Sequence, residues 1–318
     1  MEKQTLRQAK LFYNSFIILD SKEEGTKILL TKDEYLSGLS DFERSAKLQT
    51  SRPVSSEELM EFQAKQVIEW NEKEKENWEN IIEELRTEFE KYEALTIPEQ
   101  IFLVKTTGKD EGEAAYCRGM NGIFYPQSMD IKKSTLAHEL WHIISRNMPT
   151  EKRDEIYSIF GFHSFGTPID YPHQLLEYKI SNPDAVNISH YLPIDLNATD
   201  SINITPIMYS KSKIFNPSFG QTFFNYLELG FLIVHKNDKN EWVPKLKPNS
   251  DENDFNSLEL IPPQELPFQF WEKIGTNTNY IHHNEEITAE NFMMMIVKDE
   301  PRTPKLIENL AKALKKKD

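Results

Sequence analysis

The chain has 318 residues, 38% of them apolar and 28% charged, with 19 Phe, 12 Tyr and 5 Trp. That length and aromatic content suffice for a sizeable buried core and exclude disorder over most of the chain. A formal net charge of −14 excludes nucleic acid as the main partner, because phosphate neutralisation takes basic surface; it argues equally against a broad anionic-membrane surface.

Cys117 is the single cysteine, so no intrachain disulfide forms and nothing points to an oxidising compartment. No apolar run approaches the roughly 20 residues of a membrane span. The N-terminus, MEKQTLRQAKLFYNSFIILD, lacks the long apolar stretch of a secretion signal. Location is left open between cytoplasmic and exported without a recognisable signal. The lysines of the tail, Lys312 to Lys317, read as complements to a helix dipole. The sequons at Asn187, Asn197 and Asn203 read as chance in an Asn-rich chain.

In chain order, Phe12 to Leu19 and Thr26 to Leu30 read as strands, and Lys32 to about Lys47 as a helix. Residues 1–52 are expected to form an α/β extension packed on a main domain of 53–318. Ser55 and Glu58 make a capping box. Leu59, Phe62, Trp78, Ile82, Leu85 and Phe89 then recur at helical spacing, so one long helix is expected up to about Leu95, stopped by Pro98. Gln100 to Lys105, Glu113 to Cys117 and Gly122 to Tyr125 are β-prone runs between glycine-bearing turns, which predicts a small sheet. A helix over STLAHELWHIIS, ending before Pro149, and another over Lys152 to Phe160 follow. The middle, Gly161 to about Ser250, is rich in Pro, Asn and Asp and holds strand-like runs such as VNISHYLPI and FLIVHK. Helices near Glu285 to Lys298 and Thr303 to Lys315 close the chain.

The stretch STLAHELWHIIS carries the chemistry. His138 and His142 are four apart and share a helix face, while Ala137, Leu140, Trp141 and Ile144 form the adjacent core stripe. The expected helix is amphipathic, with His138, Glu139 and His142 on its non-core face. This is HExxH: two neutral imidazoles for Zn²⁺ and a Glu as base toward water.

A catalytic zinc site takes a third protein ligand and keeps a fourth position open. The pattern with Gly three residues on and His three further is absent, since Ser145 and Met148 stand there. A nearby Asp is offered by Asp170. A Glu on a separate helix, with an acid four positions later, is offered by Glu286 and Glu290 in EEITAE. The apolar residues around that pair predict a buried helix, and buried carboxylates are costly without partners. Glu286 would bind the metal, and Glu290 would accept the second ring N–H of a ligating histidine. His282 and His283 are rival ligands, preferred as site-lining groups.

At these motifs the chain resembles the gluzincin metallopeptidases, of which thermolysin is the familiar member. HELWH resembles the HExxH helix and EEITAE the later glutamate helix. A long helix, a small sheet and then HExxH, over residues 55–146, is similar to the framework of minimal gluzincins. AAYCRGMNGIFYP, RDEIYSIFGF, SNPDAVNISHY and HHNEEITAENF look like segments of a group of bacterial HExxH proteins. The chain departs from thermolysin in spacing, because Glu286 lies 144 positions after His142.

The resemblance implies an α+β fold: a mainly helical zincin-like catalytic domain with a long backing helix, a small sheet, the HExxH helix and a separate glutamate helix. It implies a zinc metallopeptidase hydrolysing peptide bonds of a peptide or protein substrate, with Glu139 activating water. His190, Tyr191 and Tyr209 are offered as oxyanion donors; Tyr191 is preferred because it lies in a resembling segment. His163 and His173 have no assigned role, and Cys117 reads as a small core residue. Two other readings stand beside this one. One is a zinc-binding protein without catalysis. The other is a protein-interaction module with an inert HExxH helix.

Overall fold

The computed structural model describes residues 6–197, 199–219 and 222–315. Lys316 and Lys317 of the basic tail lie outside the described residues. The first half holds β1 (Gln8–Phe12), β2 (Ser15–Ile18), α1 (Lys22–Leu29), α2 (Glu34–Gly38), α3 (Asp41–Lys47), α4 (Ser56–Ala64), β3 (Val67–Ile68), α5 (Glu72–Phe89), β4 (Gln100–Thr106), β5 (Tyr116–Arg118), β6 (Gly122–Pro126) and α6 (Lys133–Asn147). Then come α7 (Thr150–Ser158), β7 (His163–Ile169), β8 (Lys179–Ile180), β9 (Ile188–Asp195), β10 (Ser201–Ser210), β11 (Leu227–Lys236), β12 (Trp242–Pro244), β13 (Leu260–Ile261), α8 (Phe268–Ile274), α9 (Asn284–Val297) and α10 (Pro304–Lys315).

The expectation of a mainly helical domain is overturned. Helix makes up 39% of the described residues, beside sheets of six and seven strands. The cause lies in the Pro-, Asn- and Asp-rich middle. Its turn residues separate strands whose alternation is real, as in β9, where Ile188, His190, Leu192 and Ile194 are buried and the residues between them less so. In β11 a continuous buried run, Gly230 to Val234, hides the period of two.

Two compact units divide the chain: Met1–Ser37, Ser55–Thr150 and Ala289–Asp318 form one, and Gly38–Val54 with Glu151–Thr288 the other. The division falls inside α9, so this single helix gives its first turn to the second unit and the rest to the first.

In the first unit β2, β4 and β6 run parallel, with β1 and β5 antiparallel at the two edges and β3 antiparallel on β4. α5 packs on β1 and α6, and α6 packs on β5 and β6. Trp78, Ile82, Leu85 and Phe89 bury the inner stripe of α5. A second apolar cluster joins Ile18, Leu29, Val67, Phe102, Val104, Tyr116 and Phe124. α1 lies close on β4 because residue 25 is Gly: a Cβ there would meet Val104 Cγ1 at 2.4 Å.

Local structure departs from the sequence expectation at four places. Phe12 to Leu19, expected as one strand, is the end of β1, a turn and the antiparallel β2. Thr26 to Leu30, expected as a strand, is the end of α1 and its cap. The single helix over Lys32 to Lys47 is α2 and α3, parted where Ser40 and Glu43 form a capping box. The long helix is α4 and α5 with β3 between them, since Asn71 and Glu74 form a second capping box. A side chain that caps ends one helix and starts another.

The second unit holds an antiparallel sheet in the order β12-β11-β10-β9-β7, with β13 on β11 and β8 on β10. Leu175, Ile188, Ile207, Leu232, Val234 and Leu258 form its core. α8 packs on β9.

Candidate metal centre

α6 lacks a side-chain N-cap bond, so burial holds it. Leu136, Ala137, Leu140, Trp141, Ile143 and Ile144 are fully buried. The expected polar face is not exposed: Glu139 is 4% and His142 1% exposed, and His138 alone of the three is partly open. Ionisable groups at such depth call for compensating charge or hydrogen bonds.

The rings of His138 and His142 meet edge to face, with centroids 4.9 Å apart. His138 Nδ1 lies 3.0 Å from Glu290 Oε1 on α9. That contact selects the tautomer: Nδ1–H donates to the carboxylate, and Nε2 is the atom that would ligate a metal. Trp141 and Phe89 pack on Phe292, which seats α9 beside α6 and α5. Glu286 precedes Glu290 by one turn on the same face.

His138, His142 and Glu286 each offer one ligand atom, and these atoms lie within 4.8 Å of one another. Two imidazole nitrogens and one carboxylate oxygen form a donor set that Zn²⁺ takes in hydrolytic sites. The Glu286 carboxylate, 2% exposed, gains from a cation, so the residues fit the metal.

The first turn of α9 is tied down by hydrogen bonds that the sequence did not disclose. Asn182 Nδ2 donates to Glu286 Oε1, and the Tyr157 hydroxyl donates to Glu285 Oε2. His283 Nδ1 accepts from the Glu285 N–H at 3.1 Å, while its Nε2 donates to the Asn187 carbonyl at 3.2 Å. His283 therefore acts as a cap on the helix start. His282 packs its ring on Tyr280, and Asp170, the rival third ligand, is exposed just past β7.

Glu139 has Cys117 as a neighbour: Sγ lies 3.3 Å from the Glu139 carbonyl and 3.4 Å from Oε2. Cys117 is fully buried on β5. Burial first, and the charges of Glu139 and Asp130 with it, push the Tyr125 hydroxyl up to about 12.

The offered oxyanion donors all have partners. His190 is 2% exposed, with Nε2 2.9 Å from Asp154 Oδ1 and Nδ1 2.8 Å from Ser189 Oγ. Burial pulls its pKa down to about 4, against the opposing charge of Asp154. Tyr191 sits in an aromatic cluster, with ring centroids 4.5 Å from Trp242, 5.0 Å from Phe165 and 5.8 Å from His163. Tyr209 packs on Phe255, and burial raises its pKa. Of the residues the sequence missed, Asn182 alone had a signal: Asn182-Pro183-Asp184 is turn chemistry.

No protein-family model, no curated protein and no solved structure matches the chain. Among the described residues, no helix is long and apolar enough to cross a membrane.

Proposed function

We propose that the chain is a zinc-dependent peptidase of the gluzincin kind, cutting peptide bonds in a peptide or protein. One observation carries this reading: the ligand atoms of His138, His142 and Glu286 within 4.8 Å of one another, with Glu139 on the same helix and Glu290 on His138 Nδ1. Bound zinc supplies a Lewis acid that polarises a carbonyl and acidifies water. Glu139 takes the proton of the attacking water as its oxygen bonds to the carbonyl carbon. The amide C–N bond then breaks, and Glu139 hands the proton to the departing amine. Glu290 keeps His138 in the tautomer that ligates. Cys117 donates its S–H to Glu139 and limits how the carboxylate turns.

The reading of a zinc-binding protein without catalysis draws on burial. Glu139, His142 and Glu286 are 4%, 1% and 2% exposed, as suits a closed centre. One variant separates the two. Glu139→Gln is expected to keep about one zinc per chain and to lose hydrolysis of a peptide library by about 10²–10⁴-fold. Purified protein carrying stoichiometric zinc but cutting nothing, wild type included, favours the closed centre. A Glu139→Gln chain that cuts as well as wild type removes the proposed base.

A further inference from the structure

We infer that Asn182 is a positioning residue of the metal centre: its side-chain amide holds the Glu286 carboxylate by one oxygen and sets how that carboxylate is turned. This rests on the metal-centre reading.

The loop makes the amide face one way. Asn182 Oδ1 accepts from the Asp184 N–H at 2.9 Å, closing an Asx turn. With the oxygen thus occupied, the NH₂ group points out of the loop, and it donates to Glu286 Oε1. The amide orientation is therefore fixed by the turn rather than being interchangeable.

The turn itself rests on buried structure. The Ala185 N–H donates to the Asn182 carbonyl at 3.2 Å, and the two residues form an isolated bridge. Just before them, the Ser181 N–H donates to Glu43. Glu43 is fully buried and also accepts from the Ser40 N–H. Lys179 and Ile180 pair with Tyr209 and Met208 of β10. Asn182 thus reaches Glu286 from a support fastened to both a helix cap and a sheet.

The residue type fits the task. Glu286 is 2% exposed and must stay negative to bind a cation. A Lys or Arg in this place would neutralise the carboxylate and compete with the metal. A neutral amide orients it and leaves its charge. Groups that orient metal ligands in this way typically contribute 10–100-fold to metal affinity.

The test is zinc affinity by competition with a chromophoric chelator, together with thermal melting of the metal-free chain. Asn182→Asp keeps the size and the Asx acceptor but removes the donor. Asn182→Ser keeps a turn acceptor but is too short to reach Glu286. Both are expected to bind zinc about 10–100-fold more weakly, and the metal-free melt of Asn182→Asp is expected to fall, because its new carboxylate faces the buried Glu286 carboxylate. The inference is overturned if Asn182→Asp binds zinc as tightly as wild type, or more tightly because the new carboxylate ligates. It is also overturned if only Asn182→Ser is weakened, which would reduce Asn182 to a turn residue. His142→Ala, which removes a ligand, is the control. Wild type that takes up no zinc would sink the metal-centre reading itself, and the inference with it.

Discussion

His190 shows how much a single side chain depends on its surroundings. Its ring is 2% exposed, between Asp154 and Ser189 and edge-on to Tyr157. Burial lowers its pKa from 6.5 to about 4, Asp154 opposes the shift, and His283 adds to it. Below pH 6.5 the unfolded chain takes up a proton that the folded chain refuses until about pH 4. Stability is therefore fully present above that window and falls as pH falls through it, by up to about 3 kcal/mol from this group. Urea midpoints of metal-free protein at about pH 7 and about pH 4.5 check this. Wild type is expected to lose more between the two than His190→Asn; equal losses would reject the assignment. At this scale the candidate ligands were legible because metal chemistry admits few side chains, and HELWH and EEITAE place them at helical spacing. Asn182 and Tyr157 were not, since nothing in an Asn or a Tyr shows what it will donate to.

At the scale of elements, packing and capping decide what propensity leaves open. α1 reads as β-prone from Thr26 to Leu30, yet it is helical because Gly25 lets it approach β4. Gly25→Ala would gain helix propensity, but its methyl would meet Val104 Cγ1 at 2.4 Å and Cγ2 at 2.7 Å. The clash is expected to dominate, with a net loss of about 1–3 kcal/mol by urea unfolding. Adding Val104→Ala should recover part of that loss, since the two residues touch. A Gly25→Ala chain as stable as wild type would show that α1 can simply back away. The break between α4 and α5 has a similar lesson. The apolar stripe runs on through it, but Asn71 and Glu74 cap a new helix. Continuity of hydrophobic spacing is weaker evidence than a cap with its partner three residues on.

At the scale of the whole molecule, zinc should act as a stabilising ligand. Anything that binds the folded state and not the unfolded one shifts the melt, by about 2.7 kcal/mol at a hundredfold excess over Kd. Thermal melts with added zinc are expected to rise and to fall back with chelator. His138→Ala is expected to show neither change. A wild-type melt indifferent to both would deny the centre a structural role.

The sequence by itself determined which chemistry is possible here. HExxH and ExxxE are spacings inside single helices, and helix geometry alone puts their side chains on one face. Tertiary structure decided the rest. The 144 positions from His142 to Glu286 are bridged only by packing, and so is the reach of Asn182 to its carboxylate. The balance of helix and sheet was settled there too. A strand is stable through its neighbours across the sheet, and those neighbours lie far away along the chain.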